Sequence, residues 1–143
     1  MGHSAGGHIA LMLAVNTPYL TAAGVDRMRL RGVIGIAGPY DFLPLSAHKL
    51  IDIFGGPNNP GIEPITFARA PLPPALLVQG MADSTVYPRN AEHLAAAWRA
   101  AGDPVELKLY PEVGHIGIIA AFYELLRGRA PTLRDVMAFI DAT

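Results

Sequence analysis

The chain has 143 residues, no cysteine and a formal charge of −1, which excludes disulfides and thiolate metal sites and gives nucleic acid or an anionic membrane no electrostatic footing. Hydrophobic residues make up 51% and charged residues 16%, a balance that suits strands buried on both faces of a parallel sheet. The length fits one domain, residues 1–143, and no apolar run reaches the ~20 residues of a membrane helix, so a cytoplasmic protein without a membrane span is the default expectation.

Gly2-His3-Ser4-Ala5-Gly6 fits G-x-S-x-G, the turn that lifts a serine between a strand and a helix. No strand is predicted before it. Ala5 to Asn16 carries Ile9, Leu11, Met12, Leu13 and Val15 and is closed by Thr17-Pro18, which reads as a buried helix entered from the serine turn. Gly6 and Gly7 weaken that helix, and the expected return is a close approach to a neighbouring strand. Leu30 to Ala37 is short, rich in β-branched residues and ended by Gly38-Pro39, the first of three predicted strands, with Asp41 just past it.

Residues 42–71 hold much of the chain's proline, and Gly55 to Gly61 is a run of glycine, proline and asparagine. Short helical pieces and loops are expected there, as an irregular cover segment within the domain. Pro73 to Gln79 is the second strand, closed by Gly80. Arg89 to Ala101 is a helix after Pro88, stopped by Gly102. Val105 to Tyr110 alternates as a strand with one wetter face should, and a last helix runs from Thr132 to about Asp141. This alternation predicts an α/β fold with a parallel sheet and right-handed crossovers.

In open α/β sheets, ligands sit beyond the carboxyl ends of the strands. Asp41, Asp83 and His115 each lie just past a predicted strand. With Ser4 they give the order serine, acid, histidine. A serine hydroxyl attacks only when a base takes its proton; imidazole can take that proton and later return it to the leaving group. A carboxylate on the far ring nitrogen holds the tautomer and stabilises the imidazolium. Asp83 is the first choice for that carboxylate and Asp41 the alternative acid.

The blocks Gly2-His3-Ser4-Ala5-Gly6-Gly7, Gly80-Met81-Ala82-Asp83-Ser84-Thr85-Val86 and Gly114-His115 resemble the nucleophile, acid and histidine blocks of α/β-hydrolase carboxylesterases and lipases. They are nearest the esterase/lipase group that includes hormone-sensitive-lipase-like enzymes. The likeness runs over essentially the whole chain but covers only the C-terminal half or so of such an enzyme. It implies a Ser4–His115–Asp83 triad, an acyl-enzyme intermediate, short-chain carboxylic esters as substrates, and no cofactor or metal. The same triad serves formamidases and peptidases, and a catalytically inactive or complementation-dependent fragment is the remaining alternative. One oxyanion-hole donor is expected to be the backbone N–H of Ala5. The second comes, in the resembling enzymes, from a His-Gly-Gly loop that no segment here matches. With the early strands of such enzymes absent too, the strand at 30–37 is expected to present an open apolar edge, and self-association through it is the expected liability.

The remaining histidines carry less. His3 and His8 are five residues apart, off a common helical face, which argues against a metal pair and leaves His8 to pack beneath the turn. His48 and His93 read as surface residues. Gly32, Gly35 and Gly38 do not make G-x-G-x-x-G, so nucleotide binding is not indicated. Trp98 and Phe122 read as core.

Overall fold

The computed structural model describes residues 1–143. Four parallel strands pair in the order β1 (Gly2–His3), β2 (Val33–Ile36), β3 (Ala75–Gly80) and β4 (Val105–Tyr110). Helices α1 (Ala5–Val15), α2 (Thr17–Ala22), α3 (His48–Phe54), α4 (Arg89–Ala100), α5 (His115–Ala120) and α6 (Thr132–Ala142) connect and flank them.

The sheet corrects the expectation of three strands with none before the serine turn. Gly2 pairs with Gly35 and His3 with Ile36, and the Ser4 N–H continues the ladder to the Ile36 carbonyl at 2.9 Å. Two residues are too few to show any periodicity, so only the partner strand reveals this one. The predicted stop at Thr17-Pro18 holds, since α1 ends at Val15 and Asn16 is extended; what the sequence pattern did not reveal is α2, which begins at Thr17. Pro18 sits in the first turn of α2, where a missing N–H costs nothing because that donor would be unpaired anyway.

β3 lies between β2 and β4 and is buried along its whole length. Its alternate side chains feed two cores, as a strand's period of two requires. Leu77 joins Leu11, Val15, Tyr40, Leu94 and Trp98 on one face. Leu76 and Val78 join Ile34, Ile36, Ile118 and Phe139 on the other. Trp98 is fully buried and its indole N–H donates to the Pro73 carbonyl at 3.2 Å; Phe122 packs at the border of the second core.

Close contact between α1 and β2 depends on small residues. A Cβ built at Gly35 would fall 2.2 Å from the Tyr40 hydroxyl oxygen, and one at Gly7 3.2 Å from the same atom. Gly7 thus serves the predicted close approach, whereas a Cβ on Gly6 would meet nothing within 4 Å. Between β2 and β3 the cover segment folds into α3 and two 3₁₀ turns, Pro60–Ile62 and Pro64–Phe67. Buried Glu63 holds it in place by accepting the N–H groups of Phe42 and Leu43 at 2.6 and 2.7 Å. No helix is long and apolar enough to cross a membrane.

Candidate active site

The serine turn is strained where it carries the hydroxyl. Ser4 has φ 54° and ψ −122°, left-handed in φ and costly for a residue with a Cβ by about 1–3 kcal/mol. The surrounding structure fixes it from both sides. Its N–H is held by β2, and its carbonyl accepts the His8 N–H at 3.1 Å as α1 begins. A Cβ on Gly2 would lie 2.1 Å from the Gly6 carbonyl oxygen, so the first glycine of the motif is required by contact across the turn.

The acid and histidine loops are bound to each other at the ends of β3 and β4. The Met81 N–H donates to the Tyr110 carbonyl and the Ala82 N–H to the Val113 carbonyl. A Cβ on Gly80 would stand 2.1 Å from the Val113 oxygen, so only glycine lets the histidine loop cross there. His115 opens α5 immediately after Gly114.

These constraints bring Ser4, His115 and Asp83 together. His115 Nε2 lies 3.0 Å from Ser4 Oγ, and its Nδ1 lies 2.8 Å from Asp83 Oδ2. The Asp83 side chain is fully buried and that of His115 is 12% exposed. Burial pushes the Asp83 carboxyl up, but hydrogen bonds from the Val86 N–H, His115 and the Thr85 N–H outweigh it and hold the group below its ordinary value. An ionised, acceptor-only carboxylate facing Nδ1 fixes the proton there, which leaves Nε2 free to accept from serine.

Asp41, the alternative acid, does not reach His115. Its carboxylate meets His93 Nδ1 at 2.5 Å on the surface, because the chain after β2 turns toward α4, where Asn90 Oδ1 accepts the N–H groups of Tyr40 and Asp41. His93 is the surface residue the sequence suggested, and it is in addition the partner of Asp41.

Two neighbours of this constellation escaped the sequence reading. His3 Nε2 donates to the His115 carbonyl at 3.0 Å, and the two rings lie 4.7 Å apart. Gln79, fully buried, donates through Nε2 to Asp83 Oδ2 at 3.2 Å and to the Val86 carbonyl at 3.0 Å. Position x of G-x-S-x-G is the only hint for His3. For Gln79 it is a polar side chain ending an apolar strand.

Ala5 heads α1, so its N–H has no acceptor within the helix. Beside it opens a cleft of about 540 Å³, lined chiefly by His8, Pro39, Phe42, Leu45, Phe54 and Val86. No three histidine, aspartate or glutamate side chains converge as metal ligands.

The family model for the prolyl oligopeptidase family matches residues 1–142. Dipeptidyl peptidase family member 6 of Caenorhabditis elegans is 28% identical over an alignment of 124 residues that covers 80% of this chain and 17% of that protein. Among solved structures, the apo form of Thermogutta terrifontis esterase 2 superposes with a TM-score of 0.68 at 27% identity, over 99% of this chain and 51% of that one. A truncated carbohydrate esterase from gut microbiota gives a TM-score of 0.72 at 17% identity, over 99% and 57%. The chain thus spans about half the length of these esterases and a smaller part of the peptidase relative. The α/β-hydrolase architecture is common to it and the esterases.

Proposed function

Because the chain belongs to the prolyl oligopeptidase family of serine hydrolases, we propose that Ser4, His115 and Asp83 are a catalytic triad that hydrolyses short-chain carboxylic esters. The observation that carries this reading is the unbroken line of contacts from Ser4 Oγ through both nitrogens of His115 to Asp83. Ser4 Oγ attacks the ester carbonyl as its proton passes to His115 Nε2, and the oxyanion forms beside the Ala5 N–H. Collapse of the tetrahedral adduct expels the alkoxide, which takes the proton from His115 and leaves as the alcohol. Water then attacks the acyl-serine with His115 again as base, releasing the acid and restoring Ser4.

Two structures of one relative support ester chemistry: Thermogutta terrifontis esterase 2 has been seen bound to propionate at 25% identity to this chain, and phosphonylated by cyclosarin at 27%. The peptidase relative favours amide substrates as the second reading, since the same triad cleaves both. The test is to label the purified chain with a fluorophosphonate, locate the adduct by mass spectrometry, and use Ser4→Ala as the control. A stoichiometric adduct on Ser4 that is lost in the variant is the expected result. A folded chain with no adduct overturns the activated serine. Hydrolysis of p-nitrophenyl butyrate compared with aminoacyl p-nitroanilides then separates ester from amide preference.

A further inference from the structure

The cleft beside Ala5 shares part of its lining with a second, apolar surface groove of about 350 Å³, walled also by Ile9, Met12, Leu13, Tyr19 and Ile62 and open where Ile9 and Tyr19 are exposed. His8 and Phe54 are the only residues that line both spaces. His8 stands one helical turn beyond Ser4, and its ring is held across the junction. Nε2 donates to the Ile62 carbonyl at 2.6 Å, and the ring meets Phe42 edge-on with centroids 5.8 Å apart. A hydrogen bond to a fixed carbonyl on one side and an aromatic contact on the other leave the imidazole little rotational freedom.

We propose that His8 and Phe54 form a wall that stops the substrate's apolar chain at the end of the cleft and so restricts the enzyme to short chains. This rests on the ester-hydrolase reading above and specifies its substrate class. Beyond the wall, the groove offers almost entirely apolar surface. A chain admitted to it would gain burial at each added methylene, roughly 4-fold in kcat/KM per fully buried group. The wall, not the chemistry of the groove, is what withholds that gain. The Nε2 edge of His8 is satisfied by the Ile62 carbonyl.

The experiment compares the wild-type chain with His8→Ala, His8→Phe and Phe54→Ala in two ester series. One lengthens the acyl group of p-nitrophenyl esters from acetyl to dodecanoyl; the other lengthens the alcohol of alkyl acetates over the same range. In whichever series places its chain in the cleft, the octanoyl-to-butyryl ratio, or its alkyl equivalent, should rise at least about tenfold in His8→Ala and in Phe54→Ala. It should stay near wild type in His8→Phe, which keeps the bulk. Unchanged ratios in both series for both alanine variants overturn the proposal.

A second measurement is independent of catalysis. In the Ser4→Ala chain, butyrate and octanoate are titrated while the amide resonances of Ala5 and Leu13 are followed. Octanoate should leave Leu13 unshifted until His8→Ala or Phe54→Ala is added, then shift it and bind more tightly. Shifts at Leu13 with the wall intact overturn the proposal, as does an unshifted Leu13 with the wall removed. If wild type gives neither hydrolysis nor a Ser4 adduct, the catalytic reading falls and this titration still decides the wall.

Discussion

At the scale of single residues, the site is legible where chemistry dictates residue type and illegible where backbone contacts do the positioning. Asp83 and His115 follow predicted strands and Ser4 sits in a G-x-S-x-G turn, so their meeting was foreseeable. His3 acts through the carbonyl of His115, a partner that has no spacing signature. Its placement has a titration consequence. Burial is the main influence that lowers the His3 pKa below its ordinary 6.5; the nearby His115 also lowers it, against the raising effects of the hydrogen bond to the His115 carbonyl and of Asp83. The unfolded chain therefore binds a proton near pH 6.5 that the folded chain refuses, and stability must fall as pH drops through 6.5 toward the folded value. Asp83 and Asp135 have folded pKa values below 3.8. Their contributions are present above 3.8 and are lost only as pH falls below it. Urea midpoints measured from about pH 7.5 to 5 should decline in wild type and decline less in His3→Gln, which keeps a donor for the His115 carbonyl. Equal slopes in the two proteins would remove His3 from this account.

Among the elements, the long periodic ones were readable and the short ones were not. α4, β3, β4 and α6 lie within a residue or two of their predicted bounds, because each carries a full turn or more of pattern. β1 has two residues and α5 six, and tertiary contacts decide both. The packing of α1 on β2 around Tyr40 gives a measurable consequence. The Tyr40 hydroxyl is fully buried, its proton unpaired and only the Gly38 N–H near enough to donate to its oxygen, in a notch left by the missing side chains of Gly35 and Gly38. Gly35→Ala forces a methyl to within 2.2 Å of that oxygen and 2.7 Å of Leu11 Cδ2, and overpacking of this kind costs about 1–3 kcal/mol. Tyr40→Phe removes the oxygen and should be neutral or slightly stabilising, since an unpaired buried hydroxyl is already a loss. Thermal melts of both single variants and the double should show the phenylalanine recovering part of the glycine penalty. Strict additivity would mean that the methyl clashes elsewhere.

For the whole molecule, the parallel sheet follows the βαβ reading and an open edge on the 30–37 strand was expected, but the strand order and the extent of the exposed surfaces come from the three-dimensional structure. β1 covers only Gly35 and Ile36 of β2, which leaves Val33 and Ile34 unpaired on that side. An open cleft of about 470 Å³ lies there, lined in part by Met1, Ile34, Phe139 and Ile140. On α1 and α2, Ile9, Leu13 and Tyr19 are exposed by 59%, 37% and 51%. An unpaired strand edge next to apolar surface favours association between chains. Sedimentation equilibrium should show an average mass that rises with concentration, and Ile140→Lys combined with Ile9→Lys should lower it toward that of the monomer. A monomeric wild type at every concentration would show that these surfaces are inert.

The hydrogen bond between His115 and Ser4 joins residues 111 positions apart, nearly the full length of the chain. Contacts of such long sequence separation bear the largest loop-closure cost and characterise slow-folding topologies. Ser4 and His115 therefore meet only after every intervening strand has found its register. A fluorophosphonate adduct on Ser4, expected under the proposed function, would thus report completed folding: it would mark chains in which the serine turn has met the histidine loop, and distinguish them from chains that have merely collapsed around Trp98.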